Sequence, residues 1–245
     1  PDMPRSVEEY RCRLRELGCV PGDDGGKRGI MRGFCLLAPG IEHHERDPNA
    51  IENQVLDEPP NQSRGGDTPD RLAVCVCGDI EGAEHYATRS AGVGLVVEAQ
   101  APLQRLVVDG RDFLYTVMPR LFGATVKISP DIMRKMIWAF GDIVLSYISA
   151  GQEVGRQARS DGSFNRVLRF IDFMTVDGRV IEAHLASNML LYGRFGTRFR
   201  SAFGVLTGIR GDEIRTVHDV PVAGPRPMVR GTLSLDDVAT PKDDG

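Results

Sequence analysis

From Ser129 onward the apolar positions fall on a helical period. Ile132, Met136, Phe140, Ile143 and Tyr147 recur three or four residues apart, and Met133, Ile137, Val144 and Ile148 widen the stripe well past that of an ordinary surface helix. Ser129 is placed to cap free backbone N–H groups, Pro130 suits the first helical position, and Asp131 complements the positive helix end. The pattern predicts one helix from there to the breaker Gly151. A second is predicted over 160–175, capped by Ser160 or Asp161, with Phe164, Val167, Leu168, Ile171 and Thr175 on its apolar face. Asp177-Gly178 turns the chain into a last helix, Val180–Tyr192. A short one fits Val7–Leu17, where Val7, Tyr10, Leu14 and Leu17 share a side.

Between residues 72 and 117 the period shortens. LAVCVCGDI and VGLVVEAQAPLQRLVVDGRDFLYTV are rich in β-branched residues, and Asp109-Gly110 is a two-residue turn signal, so a small hairpin is expected there. PGDDGGKRG and EPPNQSRGGDTPD carry breakers throughout. Together these patterns predict a mainly α fold. A helical core at 48–194 with a small β-hairpin lies between extended, flexible arms, N-terminal at 1–47 and C-terminal at 195–245.

Composition adjusts this picture in two places. The 245 residues, 41% of them apolar, suffice for one good core with arms, while 28 glycines and 15 prolines argue for much irregular structure. The formal charge of −4 hides an uneven spread. Ten arginines face six carboxylates between Arg156 and Arg215, whereas 42–70 and 236–245 are acidic. A basic core with acidic arms suits an anionic ligand held inside. The five cysteines lack framework spacing, and Cys75 and Cys77 share a strand face without a zinc pattern, so free thiols in a reducing compartment are expected. His43-His44 between Glu42 and Glu45 reads as a metal patch or, more simply, a solvated charge run; no metal or cofactor is expected. No apolar run has membrane-spanning length and no signal peptide opens the chain. Beginning at Pro1, the chain reads as an expressed fragment or a product of processing. No P-loop, GxSxG or HExxH occurs, which favours a binding protein over an enzyme.

Arg134 stands at the edge of the wide apolar sector beside Trp138, four residues on. That placement predicts a half-buried guanidinium in need of an anionic partner. Arg166 and Arg169 flank Asp172 and either line a groove or sit in solvent; His184, near an apolar face, reads as a core histidine.

Several phrases in consistent order resemble the coat proteins of flexuous filamentous plant viruses, most closely the potyvirus family. That family's Pro-x-x-Arg helix start with a downstream Phe-x-Asp is similar to SPDIMRKMIWAFGD, with Arg134, Phe140 and Asp142 in register after one extra residue. Its Arg-x-x-Arg-Asp phrase resembles Arg156, Arg159 and Asp161, again with one residue inserted. Its Ala-Phe-Asp-Phe resembles Phe170-Ile171-Asp172-Phe173, and its Arg-Glu-Ala-His resembles Ile181-Glu182-Ala183-His184. Its Met-Asp-Gly hairpin, Leu-Phe-Gly and Glu-Asp-Val are similar to 108–110, 202–204 and 218–220. An aphid-transmission Asp-Ala-Gly is absent and the loop before Glu182 is short, which marks a divergent member.

The resemblance implies a virion protein, found also in the host cytoplasm, that polymerises helically around single-stranded genomic RNA. Its arms would bind neighbouring subunits, and Arg134 with Asp172 would form the RNA pocket. Arg134 would take a phosphate; Asp172 would orient it or accept from a base or ribose hydroxyl. A purely structural Arg134–Asp172 ion pair is the alternative. Where the family has Ser-Pro-Asn, with the serine on RNA, this chain has Ala101-Pro102-Leu103, passing that contact to backbone there or to Gln100. A monomeric or ring-forming nucleoprotein of another RNA virus class is the competing reading.

Overall fold

The computed structural model describes residues 6–19, 30–37, 73–88, 93–108, 113–123, 128–222 and 228–238. Its helices are α1 (Val7–Leu17), α2 (Ile80–Ala87), α3 (Leu114–Gly123), α4 (Pro130–Phe140), α5 (Ile143–Asp161), α6 (Phe164–Thr175) and α7 (Gly178–Leu185). Its strands are β1 (Ile30–Leu37), β2 (Ala73–Cys77), β3 (Val93–Gln100), β4 (Leu106–Val108), β5 (Met189–Tyr192), β6 (Arg198–Phe199), β7 (Ala202–Leu206), β8 (Ile214–Asp219) and β9 (Gly231–Ser234).

Helix α4 starts as its sequence predicts. Ser129 Oγ accepts from the N–H groups of Asp131 and Ile132 at 3.2 and 3.4 Å, and Pro130 occupies the first turn. The single helix expected through residue 151 is instead two. Gly141, at φ 80°, closes α4 by donating to Ile137 O at 2.8 Å, and a Cβ there would lie 2.7 Å from the Ala183 methyl. Glycine is therefore required on both counts. Gly151 is no breaker: α5 runs through it to Asp161, and its missing Cβ leaves room for the Phe122 ring, which a Cβ would meet at 2.1 Å. Phe122 in turn packs at a tilt against Phe170, with centroids 5.5 Å apart, and Phe170 against Tyr147 at 5.7 Å. Burying each such ring contributes roughly 1.5–3 kcal/mol, and this knot holds α3, α5 and α6 together.

The mainly α expectation is overturned, since a six-stranded sheet runs through the molecule in the order β4-β7-β2-β1-β3-β8, and a second sheet in the order β6-β5-β9. The fold is α/β. Strand β1 is parallel to both β2 and β3, while β7 is antiparallel to β2 and β4, and β8 to β3. The expected hairpin about Asp109-Gly110 does not form: Leu106–Val108 pairs with β7, and Leu114–Val117, which would have been the returning strand, lies in helix α3. Asp109 and Gly110 lie outside the described residues. The reason is that hydrogen-bonding partners are chosen by burial across the whole chain, which a local turn signal does not report.

The stretches expected as flexible arms supply much of this sheet. In the N-terminal stretch, α1 buries Tyr10 and Leu14, and Cys19 exchanges backbone hydrogen bonds with Ile209 at 2.6 and 2.7 Å; β1 sits between β2 and β3. In the C-terminal stretch, β7 and β8 enter the large sheet and β9 pairs in parallel with β5, burying Leu233. Strand β5 itself occupies the end of the predicted last helix, which stops at Leu185. Inside, Arg105 ties two turns together through Glu213, Leu206 O and Gly208 O. Among the described residues no helix is long and apolar enough to cross a membrane.

Candidate nucleic-acid interface

The Arg134 guanidinium lies 5.5 Å from the Trp138 ring centroid, as their four-residue spacing requires. It is not half-buried, however. Its side chain is 57% exposed and paired with Asp131 one turn back. Lys135 reaches the same carboxylate at 3.2 Å, and hydrogen bonds from Lys135 and then Arg134 hold Asp131 below the usual carboxylate range. Arg230, brought from far along the chain, stacks closer on Trp138 at 4.0 Å.

Asp172 is only 1% exposed, and its carboxylate accepts from the Tyr115 hydroxyl. Its backbone carbonyl takes the Thr175 hydroxyl at 2.7 Å. Arg134 and Asp172 are therefore not brought together: one guanidinium faces solvent with Asp131, and the other group is sealed in the core. A buried carboxylate held by a phenol is built for packing specificity rather than for reaching a polymer outside. Ala101 is also buried, and Gln100 accepts from Arg215 at 2.9 Å at the end of β3.

Arg166 and Arg169 fare differently. They lie on the exposed side of α6, one turn apart, and Arg156 and Arg159 are exposed on the last turns of α5. The two helices meet at Gly162, whose φ of 72° makes the bend. Arg166 reaches back across it to Asp161 at 3.1 Å and to Gln157 at 3.4 Å, which ties the two helix ends into one corner with Arg156 and Arg159 on one arm and Arg166 and Arg169 on the other. Two carboxylates share it: Glu153 pairs with Arg156, and Asp161 with Arg166. Hydrogen bonds from Ser163 first, with the Arg166 charge added, hold Asp161 below its ordinary range. Arg159 instead donates to Gly123 O at 3.1 Å. Phe164, expected on the apolar face of α6, is 56% exposed at this corner, because the α6 face that meets the core starts at Val167. Among the described residues the two arms of this corner carry four guanidiniums against these two carboxylates, a net positive surface.

Other sequence candidates resolve simply. His184 is fully buried: the Ala202 N–H donates to its Nε2 at 3.1 Å, which leaves Nδ1 protonated and donating to Ala139 O at 2.9 Å. Desolvation drives its pKa down to about 4, against a small opposite pull from the Ala139 carbonyl. Cys77 is buried and Cys75 exposed, neither in a disulfide, and among the described residues no group of three or more potential ligands could hold a metal. His43 and His44 lie outside the described residues. The Arg230 contact to Trp138 escaped the sequence reading because nothing local links two residues so far apart. Comparison with protein-family models, curated proteins and solved structures finds no match.

Proposed function

We propose that the chain is an RNA-binding protein, not an enzyme, and that it holds single-stranded RNA along the α5–α6 corner. The observation that carries this reading is the set of four exposed arginines, Arg156 and Arg159 on the last turns of α5 and Arg166 and Arg169 on α6, either side of the Gly162 junction, with Phe164 exposed in the first turn of α6. Sequence-independent binding needs positive charge on a phosphate path and an aromatic face for a base, and no readout of base edges. Arg134 and Arg230 form a second basic spot beside Trp138. Polymerisation into a flexuous filament, with the virion and the host cytoplasm as its places, is the finer proposal. It is supported by the order of the coat-protein-like phrases between residues 105 and 220. The six-stranded sheet departs from the helical core that this resemblance implies and weighs against it.

Fluorescence anisotropy with a labelled oligouridylate, repeated over a salt series, tests the coarser claim. Affinity should fall with salt, and Arg156→Ala with Arg169→Ala should flatten the log–log slope by about 0.7 per arginine removed. Binding that ignores both salt and these substitutions would refute it. Negative-stain microscopy of protein mixed with RNA separates the finer readings: filaments support a coat protein, discrete small particles a nucleoprotein.

A further inference from the structure

Where β2 runs into α2, a cavity of about 290 Å³ opens that shares no residue with the α5–α6 corner. Glu81, Glu84, His85 and Thr88 line it from α2, with Asp79 just before that helix. Leu190, Phe199, Val220 and Pro221 add hydrocarbon from elsewhere in the chain, and Arg198 stands exposed among them. A concave space where apolar surface meets a few polar groups is a ligand site in form.

What such a site takes is decided by the groups that the fold leaves open, and its acidic groups are engaged. Glu81 is paired with the buried Arg200 at 2.7 Å. Glu84 accepts from the Val222 N–H at 2.6 Å and has a further partner besides. Asp79 accepts from the Gly82, Arg200 and Ser201 N–H groups at 2.7, 3.2 and 3.4 Å. Burial pushes its carboxyl up, towards the neutral form, against the opposite pull of those amides. The Thr88 hydroxyl is spent on the Glu84 carbonyl at 2.8 Å. Two groups remain open. His85 Nε2 is enclosed without a hydrogen-bond partner, and such a nitrogen costs free energy until a ligand or water meets it. Arg198 makes no side-chain hydrogen bond or ion pair among the described residues. The open groups of this cavity are therefore a cation and an imidazole nitrogen beside hydrocarbon.

We propose that the cavity binds a short branched-chain monocarboxylate. The carboxylate lies between Arg198 and His85, and the hydrocarbon packs on Leu190 and Phe199. A guanidinium fork matches a carboxylate in two places, and an imidazole with its proton on Nε2 supplies a further donor. One negative charge suits the site and two do not. A phosphate dianion would bring a second charge close to Glu81 and Glu84, with Arg198 alone to offset both. The volume stands at the small end of ligand pockets, which run from about 300 Å³ upward, and suits one molecule of this scale.

Isothermal titration of the full chain with isovalerate, isovaleramide and acetate separates the charge from the hydrocarbon. Isovalerate should bind saturably. The amide, which lacks the charge, and acetate, which lacks the branched body, should each bind about tenfold more weakly or worse. Arg198→Ala should bring isovalerate down to the affinity of the amide without moving the melting temperature, and Arg198→Lys should restore part of the difference. His85→Ala should weaken isovalerate several-fold; should that variant fail to fold, the Arg198 variants decide. No saturable heat with isovalerate, equal affinity for acid and amide, or a preference that survives Arg198→Ala overturns the proposal. Each of these results leaves RNA binding at the α5–α6 corner untouched.

Discussion

His184 makes the fold acid-labile in a defined window. Its ring lies between Phe140, at 4.8 Å between centroids, and Phe203, at 5.3 Å, and it bridges Ala139 O on α4 to Ala202 N on β7. Protonation would place a second proton on Nε2, facing the Ala202 N–H, and a charge among phenyl rings. The folded imidazole therefore resists protonation until about pH 4, whereas in the unfolded chain it titrates near its ordinary 6.5. Between these values the unfolded state binds more protons, so stability is complete above the upper value and falls as pH drops. At about 1.4 kcal/mol per unit the loss approaches about 3 kcal/mol, a large share of the ~5–15 kcal/mol available to a domain. Urea unfolding at about pH 7.5 and about pH 4.5 measures it, with His184→Gln as the reference. Gln cannot titrate and should be less stable at the higher pH, yet should lose less between the two. An equal loss in both proteins refutes the assignment, because carboxylates elsewhere would then carry the whole acid response.

Three further outcomes follow from the same packing. Asp172→Ala or Tyr115→Phe breaks a buried hydrogen bond and should cost about 1–3 kcal/mol in urea unfolding, with the oligouridylate affinity of the folded protein unchanged; a tenfold weaker affinity would return Asp172 to the RNA site. Gly151→Ala pushes a methyl into Phe122 and should cost about 1–3 kcal/mol by overpacking, read from the same curves. Gly162→Ala meets open space but sits at φ 72°, so only the left-handed penalty of about 1 kcal/mol applies.

Local order was legible in the sequence, and long-range order was not. The cap at Ser129, the period of α1, that of α6 from Val167 onward and the strand character of LAVCVC and VGLVVEAQ stand in the structure, because each depends on neighbours within one or two turns, whereas Ser160 and Asp161, expected to cap α6, lie inside α5. The pairing of β2 with β7, and of β3 with β8, joins segments more than a hundred residues apart, and no local period encodes it. Ala202–Leu206 and Ile214–Asp219 alternate too briefly to be separated from tail, yet they complete the sheet. Gly141 and Gly151 show how one residue type misleads in both directions. The first breaks a helix where the apolar stripe continued, and the second sits inside one because a ring needs its space.

The candidate site failed and held for one physical reason, which is burial. A wide apolar stripe on α4 suggested that Arg134 would be carried inward with it. The stripe is instead shared between α5, α7 and the small sheet, so the helix turns Ala139, Met136 and Phe140 into the core and leaves position 134 outside. Asp172 moved the other way. On α6 it occupies the same side as Val167, Ile171 and Thr175, all buried, so its charge had to be met from within the chain by Tyr115. Arg166 and Arg169 lie on the opposite side of that helix and are forced outward by the same periodicity. A polyanion can only address groups that the fold has left in solvent. Of the residues first assigned to the interface, Arg134 and the α6 arginines meet that condition: Arg134 stands with Lys135 and Arg230 beside Trp138, and the α6 arginines adjoin Arg156 and Arg159 across the Gly162 junction.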